Sequence, residues 1–418
     1  MNKKRCVITG MGVVSPLGNK HVQFYTGLRS GLCGIREMTE WDIAGAGTAD
    51  ATYFGSPVEL DEKFIKSLPR SMRRSMSKIS LYASCAALQA IEQAGLQIGE
   101  LNNQRTGCII GSTMGGTSAI SEAYRIVTFG KGLEEMSSMQ FFKSVSHTAV
   151  FNVSHFLNIT GTVMAPCAAC ASALQSIGHA MELISFGKQD IVVCGGAEEL
   201  APEVSGSFEV IYAGVSSTRM KDPKQCSRPF DSRRSGLVCG EGAGIFVLEE
   251  LEHAKARGAE ILAEVVGYAT CGCGTQISQS DAPAIRKCLE MVYADAEISP
   301  DQTDYINAHA TSTLQGDFSE ATAIREFFGE KTPPVSSLKG HIGHTLGASG
   351  ALELAASLKM MQESEIIPTL NLESPGEGCE GIDHVMAEPR KKQLDLILKN
   401  SFAFGGINAA LLCKKYQN

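Results

Sequence analysis

Apolar residues along the chain fall into short runs, separated by stretches with the i, i+3, i+4 period of amphipathic helices. RCVITG (5–10), RTGCIIGS (105–112) and DIVVCGGAEE (190–199) are rich in valine and isoleucine and leave through glycine, which predicts buried strands. SKISLYASCAALQAIEQAG (77–95) carries the helical period and stops at Gly95, a residue suited to a left-handed cap. AGIFVLEELEHAKARG (243–258) reads as a strand running into a helix. The alternation predicts an α/β chain with mostly central strands.

Two parts of the chain echo each other. VMAPCAAC leads into the helical SALQSIGHAMELISFG, and PPVSSLKGHIGHTLG leads into ALELAASLKMMQ. CGEGAGIFVLEE (239–250) and FAFGGINAALLCKK (402–415) then close the two parts, each glycine-rich first and strand-like afterwards. This predicts a duplicated fold, with an N-terminal half over 1–255 and a C-terminal half over 256–418.

At 418 residues the chain can bury a large core. A net charge of −8 argues against general nucleic-acid binding. One window opposes that balance: Lys63, Lys66, Arg70, Arg73, Arg74 and Lys78 occur between 63 and 91 with no acid among them. If the segment after Pro69 is helical, Arg70, Arg74 and Lys78 share a face. That face is either simply solvated or a dock for an acidic partner. The 14 cysteines are scattered, in a chain too large to need staples, so free thiols in a reduced, cytoplasmic protein are expected. MNKKR opens like a signal peptide, but glycine and proline break the apolar stretch behind it and no cleavage site follows. No apolar run reaches the roughly 18 residues of a membrane span.

Candidate chemistry centres on APCAACASALQSIGHAMELI (165–184). Its Cys-x-x-Cys is open to three readings: a redox pair, half a metal site, or one nucleophile beside a structural thiol. Cys170 sits where extended chain enters a helix, so the helix dipole and first-turn amides favour its thiolate and lower its pKa. The amide at such a turn also suits an oxyanion. Cys167 lies on the extended side and reads as structural. Cys271 and Cys273 lack a second close Cys/His pair and read as packed thiols. GMGVVSPLG (10–18) is a poor dinucleotide loop: its third glycine is misplaced and Pro16 interrupts the helix. Among the 9 histidines, His309 in NAHATST and His344 in SSLKGHIGHTLGASG lie in small, polar turns. NSFAFGGIN (400–408) adds a glycine-rich loop with two aromatics, suited to a gate or an amide donor.

VITGMGVVSPLGN, the Cys170 segment, SRPFDSRRSGLVCGEGAGIFVLEELEHAKARGA, NAHATST, LKGHIGHTLGASGALE and NSFAFGGIN, in this order, resemble the β-ketoacyl-[acyl-carrier-protein] synthases of type II fatty-acid synthesis. The resemblance covers essentially the whole chain. It implies the thiolase fold, two similar α/β halves forming a five-layered αβαβα sandwich, normally as a homodimer. It makes Cys170 the acyl-accepting nucleophile and joins His309 and His344 to it in a Cys-His-His triad. Lys339 matches the lysine that supports the His344 region. Glu353, Thr311 and Thr313 match supporting positions. Phe402 matches the gate whose amide, with that of Cys170, forms the oxyanion hole. Met114, Phe142 and Phe402 match the acyl pocket, with Phe141 beside it. Lys66, Arg70, Arg73 and Arg74 match the segment that docks acyl carrier protein. No metal or organic cofactor is implied, because neutral imidazoles can donate to the enolate left by decarboxylation of malonyl-carrier.

The chain departs from the family at three places. Ala310 and Ala403 stand where glycine is usual, and Ile407 where threonine is usual. These departures point to an unusual acyl pocket or pathway. A type II polyketide or polyene ketosynthase, with a homologous partner subunit, is therefore a rival reading. A non-catalytic partner would lack the nucleophile, and a thiolase would carry a second catalytic cysteine near the C-terminus, which Cys413 in its strand-like run does not resemble.

Overall fold

A computed structural model describes residues 3–41, 52–130, 132–216, 219–275, 277 and 281–417. The first part of the chain supplies β1 (Cys6–Val14), β2 (Thr106–Gly111), β3 (Val163–Met164), β4 (Ile191–Glu198) and β5 (Gly242–Glu250). The second supplies β6 (Ala263–Gly272), β7 (Tyr305–Asn307), β8 (Val335–Ser336), β9 (Leu396–Ala403) and β10 (Ile407–Lys414). The spatial order is β3-β2-β4-β5-β1 in the first set and β8-β7-β9-β10-β6 in the second. Each set thus runs third, second, fourth, fifth, first. The senses match as well: the first two pairings are parallel and the last two antiparallel in both. The internal echo in the sequence is therefore a repeat of topology. The sets join along a short seam, where Cys6, Val7 and Ile8 pair with Val265, Glu264 and Ala263.

Five helices set the layers: α1 (Lys78–Gln93), α2 (Ser172–Ser185), α3 (Ala282–Ala296), α4 (Leu314–Phe328) and α5 (Ser349–Glu363). Helix α1 covers β1 and β5 from outside, α3 covers β6 and β10 with α4 beside it, and α2 and α5 lie between the two strand sets. The middle helices are buried on nearly every side, as their near-continuous apolar sequences require. The result is a thiolase-like αβαβα sandwich.

Two local expectations change. The strand expected over 5–10 continues through Gly10 and Gly12 to Val14, so GMGVV is strand and not a phosphate-type loop. Both glycines are needed there for packing: a side chain at either would meet the backbone of Ala90 or Ala86 on α1. The basic segment is not one helix. Arg70–Arg73 form a single turn, and Lys78 begins α1, where its ammonium pairs with the buried Glu241 at 2.9 Å. Gly95 behaves as expected, taking φ +69 just past the end of α1.

Candidate active site

The site is built on two matching turns. After β3, Ala169 takes φ +47, a left-handed conformation strained for a residue with a side chain. A tight turn over Ala169–Ala171 then delivers Cys170 to the start of α2. Ser172 locks this turn: its hydroxyl accepts from the Ala168 N–H at 2.8 Å and donates to the Ala169 carbonyl at 2.7 Å. After β8, Leu346 takes φ +48, and the turn Leu346–Ala348 leads into α5. His344 lies two residues ahead of that turn. Its backbone is pinned on both sides, its N–H donating to Val238 at 2.7 Å and its carbonyl accepting from Gly240 at 2.9 Å.

These turns bring His344 Nε2 to 2.9 Å from Cys170 Sγ. The His309 ring stands nearly perpendicular to that of His344, 5.2 Å away between centroids. The sulfur and one nitrogen of each ring lie within 4.8 Å of one another. His309 is positioned by Glu320 on α4, whose carboxylate accepts from the His309 N–H at 2.9 Å and from the Ala310 N–H at 2.7 Å. Asn400 donates to the same carboxylate at 3.1 Å. Glu198, at the end of β4, accepts from the amides of Thr113 at 2.8 Å and Gly347 at 3.0 Å, tying the two halves together behind the nucleophile.

Burial dominates the electrostatics. It pushes the Cys170 thiol up to about 12, against the pull of Lys339 and of the N–H groups of Cys170 and Phe404. The lowered thiol pKa expected from the helix terminus alone is therefore reversed, and burial favours the S–H form over the thiolate. Burial also drives His309 and His344 well below the ordinary histidine value, with the Lys339 and Lys399 charges adding to the effect. Both rings are neutral at physiological pH, and each can act as a single N–H donor. Lys339 touches neither ring. Its ammonium is fully buried against Glu353 at 2.5 Å.

A cavity of about 670 Å³ opens from Cys170, His309 and His344 toward the surface. Thr311 and Thr313 line it, their hydroxyls 3.1 Å apart, and Ile211, Tyr212 and Leu314 form its exposed outer wall. Phe402 lines it too, 8% exposed and 6.1 Å from the His309 ring. Phe402 lies inside β9 in register with Asn408, whereas Phe404 lies past the strand end, where its backbone N–H favours the Cys170 thiolate. The glycines that follow, Gly405 and Gly406, take φ +89 and +69. Met114 and Phe142 do not border this cavity. They are 45% and 42% exposed on the outer face, Phe142 packing edge-on to Phe141 and Phe151. Local patterns did not single out Glu320, Glu198, Lys399 or Phe404. A spacing of three between Asp317 and Glu320, on one face of an amphipathic helix, was the available signal for Glu320.

Fold and site together define a thiolase-type protein built around a buried thiol and two neutral imidazoles. Residues 3–254 match the family model described as Beta-ketoacyl synthase, N-terminal domain, and residues 262–373 match Beta-ketoacyl synthase, C-terminal domain. The chain belongs to the β-ketoacyl synthase family. It is 37% identical to 3-oxoacyl-[acyl-carrier-protein] synthase 2 of Coxiella burnetii over 99% of each chain. A crystal structure of a β-ketoacyl synthase from Burkholderia phymatum superposes with a TM-score of 0.93 at 37% identity, over 99% of this chain and 100% of that one. A type II PKS acyl-carrier protein in complex with its ketosynthase (AntDE:AntF) gives 0.89 at 29% identity, over 99% of this chain and 100% of that one.

Proposed function

We propose that the protein is an elongating β-ketoacyl-acyl carrier protein synthase. The observation that carries this reading is the Cys170 thiol, held 2.9 Å from one neutral imidazole with a second beside it, at the foot of an open cavity. Cys170 attacks an acyl-carrier thioester, and its proton passes through His344 to the departing carrier thiol. The amides of Cys170 and Phe404 receive the oxyanion. Malonyl-carrier then loses carbon dioxide. His309 and His344 donate to its thioester oxygen while the C–C electron pair becomes an enolate. The enolate carbon attacks the acyl group, the C–S bond to Cys170 breaks with its electron pair on sulfur, and the thiolate takes up one proton from solvent, the proton that the overall reaction consumes. Thr311 and Thr313, between the histidines and the mouth, suit the amide-rich arm of a carrier.

Acyl carrier protein is the partner, docking on the basic segment. Lys66, Arg70, Arg73 and Arg74 form the docking set, with Lys66 also meeting Glu62 at 2.6 Å in an exposed pair. A second copy of the chain would cover β3, an exposed edge strand, together with Met114, Phe141 and Phe142, and would close the acyl pocket on that side. The halves divide near residue 255. No disulfide joins cysteines among the described residues, which suits a reducing cytoplasm, and no helix among the described residues is long and apolar enough to cross a membrane.

The test is formation of β-ketoacyl-carrier from acyl- and malonyl-carrier, followed by mass spectrometry. Arg70→Glu with Arg74→Glu should raise KM for the carrier substrate roughly tenfold, mostly through association, with kcat little changed and the difference fading in high salt. An unchanged KM at low salt removes the docking assignment.

Ala403 and Ile407 support a second reading, a ketosynthase of a type II polyketide or polyene pathway. They pair directly at the base of the gate loop, and Ala403 is 2% exposed with its φ outside the left-handed region. The methyl stiffens the hinge that glycine would leave free. Ala403→Gly with Ile407→Thr should broaden the range of accepted acyl chains. An acyl profile matching that of the wild type removes the support for this reading.

A further inference from the structure

Behind the two imidazoles lies a charge that the chemistry above does not use. Lys399, on β9, is fully buried in register with Asn307 and Leu411. Its ammonium lies 2.8 Å from Glu353 Oε2 and donates to the Asn400 carbonyl at 2.6 Å. Glu353 is already paired with Lys339 through its other oxygen, at 2.5 Å. One carboxylate is thus shared by two buried lysines, and among the described residues the only other acid acting on Lys399 is Glu320, which makes no ion pair with it. Lys339 with Glu353 alone would be neutral. A second buried ammonium disfavours folding, and an apolar side chain of the same length would fill the space without that penalty. Stability therefore does not account for Lys399.

Its surroundings do. The titratable groups around it are Glu353 on α5, Lys339 on the turn before His344, Glu320 on α4, Tyr305 on β7, and the rings of His309 and His344. The next residue, Asn400, holds the Glu320 carboxylate that fixes the His309 backbone. The Lys399 charge opposes protonation of both rings, and no bond links it to either.

We propose that Lys399 is a positioning residue acting through its charge: it lowers the basicity of His309 and His344 beyond what burial alone does and biases the site toward the anion formed during condensation. The inference rests on the condensing reading above. Burial, then Lys339, draws the Lys399 ammonium down to about 8, so the charge itself is lost on the alkaline side of neutrality. The site then carries its own upper pH limit.

The experiment is the pH profile of kcat/KM for condensation, with thermal melts, for wild type, Lys399→Met and Lys399→Arg. Lys399→Met should lower kcat/KM at neutral pH roughly tenfold. Its acid limb should move to higher pH as the histidines regain basicity, and its fall near pH 8 should disappear, while Tm stays equal or rises. Lys399→Arg, permanently charged, should keep the acid limb of the wild type and also lack the fall near pH 8. An unmoved profile in Lys399→Met, or an activity loss that follows a loss of Tm, overturns the inference while leaving the condensing reading intact. Wild-type protein that condenses no acyl-carrier overturns the reading and the inference together.

Discussion

Cys170→Ser should abolish acyl transfer, lowering the condensation rate by at least about a thousandfold. The sulfur sits in a locked turn with an imidazole 2.9 Å away, so no neighbour can replace it. A serine hydroxyl in the same place faces a harder deprotonation. Its only base is a histidine held well below the ordinary value, which is a weak proton acceptor. Intact-protein mass spectrometry after mixing with acyl-carrier should show one adduct on wild type and none on Cys170→Ser. Decarboxylation of malonyl-carrier should survive in part, since His309 and His344 perform it without the sulfur. A persistent adduct on the variant would place the nucleophile elsewhere. Cys167, exposed and donating to the Thr113 carbonyl at 3.1 Å, would be the residue to examine.

Glu353→Gln should cost about 3–5 kcal/mol of folding stability, the penalty for stripping the counter-charge from a buried pair. Here the penalty falls on two lysines at once, since Lys339 and Lys399 are both fully buried on that carboxylate. The sign of the pH dependence follows from Lys399. Its folded pKa lies at about 8, below the ordinary lysine value of 10.5, so between these values the unfolded chain holds the proton that the folded chain has released. Stability therefore climbs with pH across that window. Removing Glu353, whose charge raises the Lys399 pKa, extends the window downward. Urea titrations should find the variant weakest near neutrality and recovering toward pH 10. Adding Lys399→Met should restore part of the loss, giving a coupling energy well outside additivity. A loss in Glu353→Gln that is flat with pH would mean that packing, not charge, sets the effect.

Much of the site was legible because its signals are local. A cysteine at a strand-to-helix junction, and two histidines in small-residue turns, are visible in short windows. The repeated topology was visible too, because each half closes with glycine and then strand. What escaped depends on distant contacts. Whether Phe402 or Phe404 offers its amide turns on where β9 leaves the ladder, and FAF reads alike on both sides of that point. The ionisation of Cys170 turns on burial between two helices and a sheet, which outweighs the helix dipole that the sequence displays. Lys399 reads as the polar member of an alternating strand, yet LILKNSFA is buried throughout, since helices cover both faces of its sheet. The long strand β1 looked broken by Gly10 and Gly12 because the alanine-rich helix that requires them comes some seventy residues later.

The twin turns at Ala169 and Leu346 divide the molecule into parts that can change and parts that cannot. The thiol and the imidazole are held at the entrances to neighbouring helices of the innermost layer, and the spacing between them is set by packing that no surface loop reaches. The outer wall of the cavity, at Ile211, Tyr212 and Leu314, belongs to other segments nearer the surface. Mutation can reshape that wall, residue by residue, without disturbing the reacting atoms. A lineage built this way can exchange one acyl substrate for another while its chemistry is inherited intact.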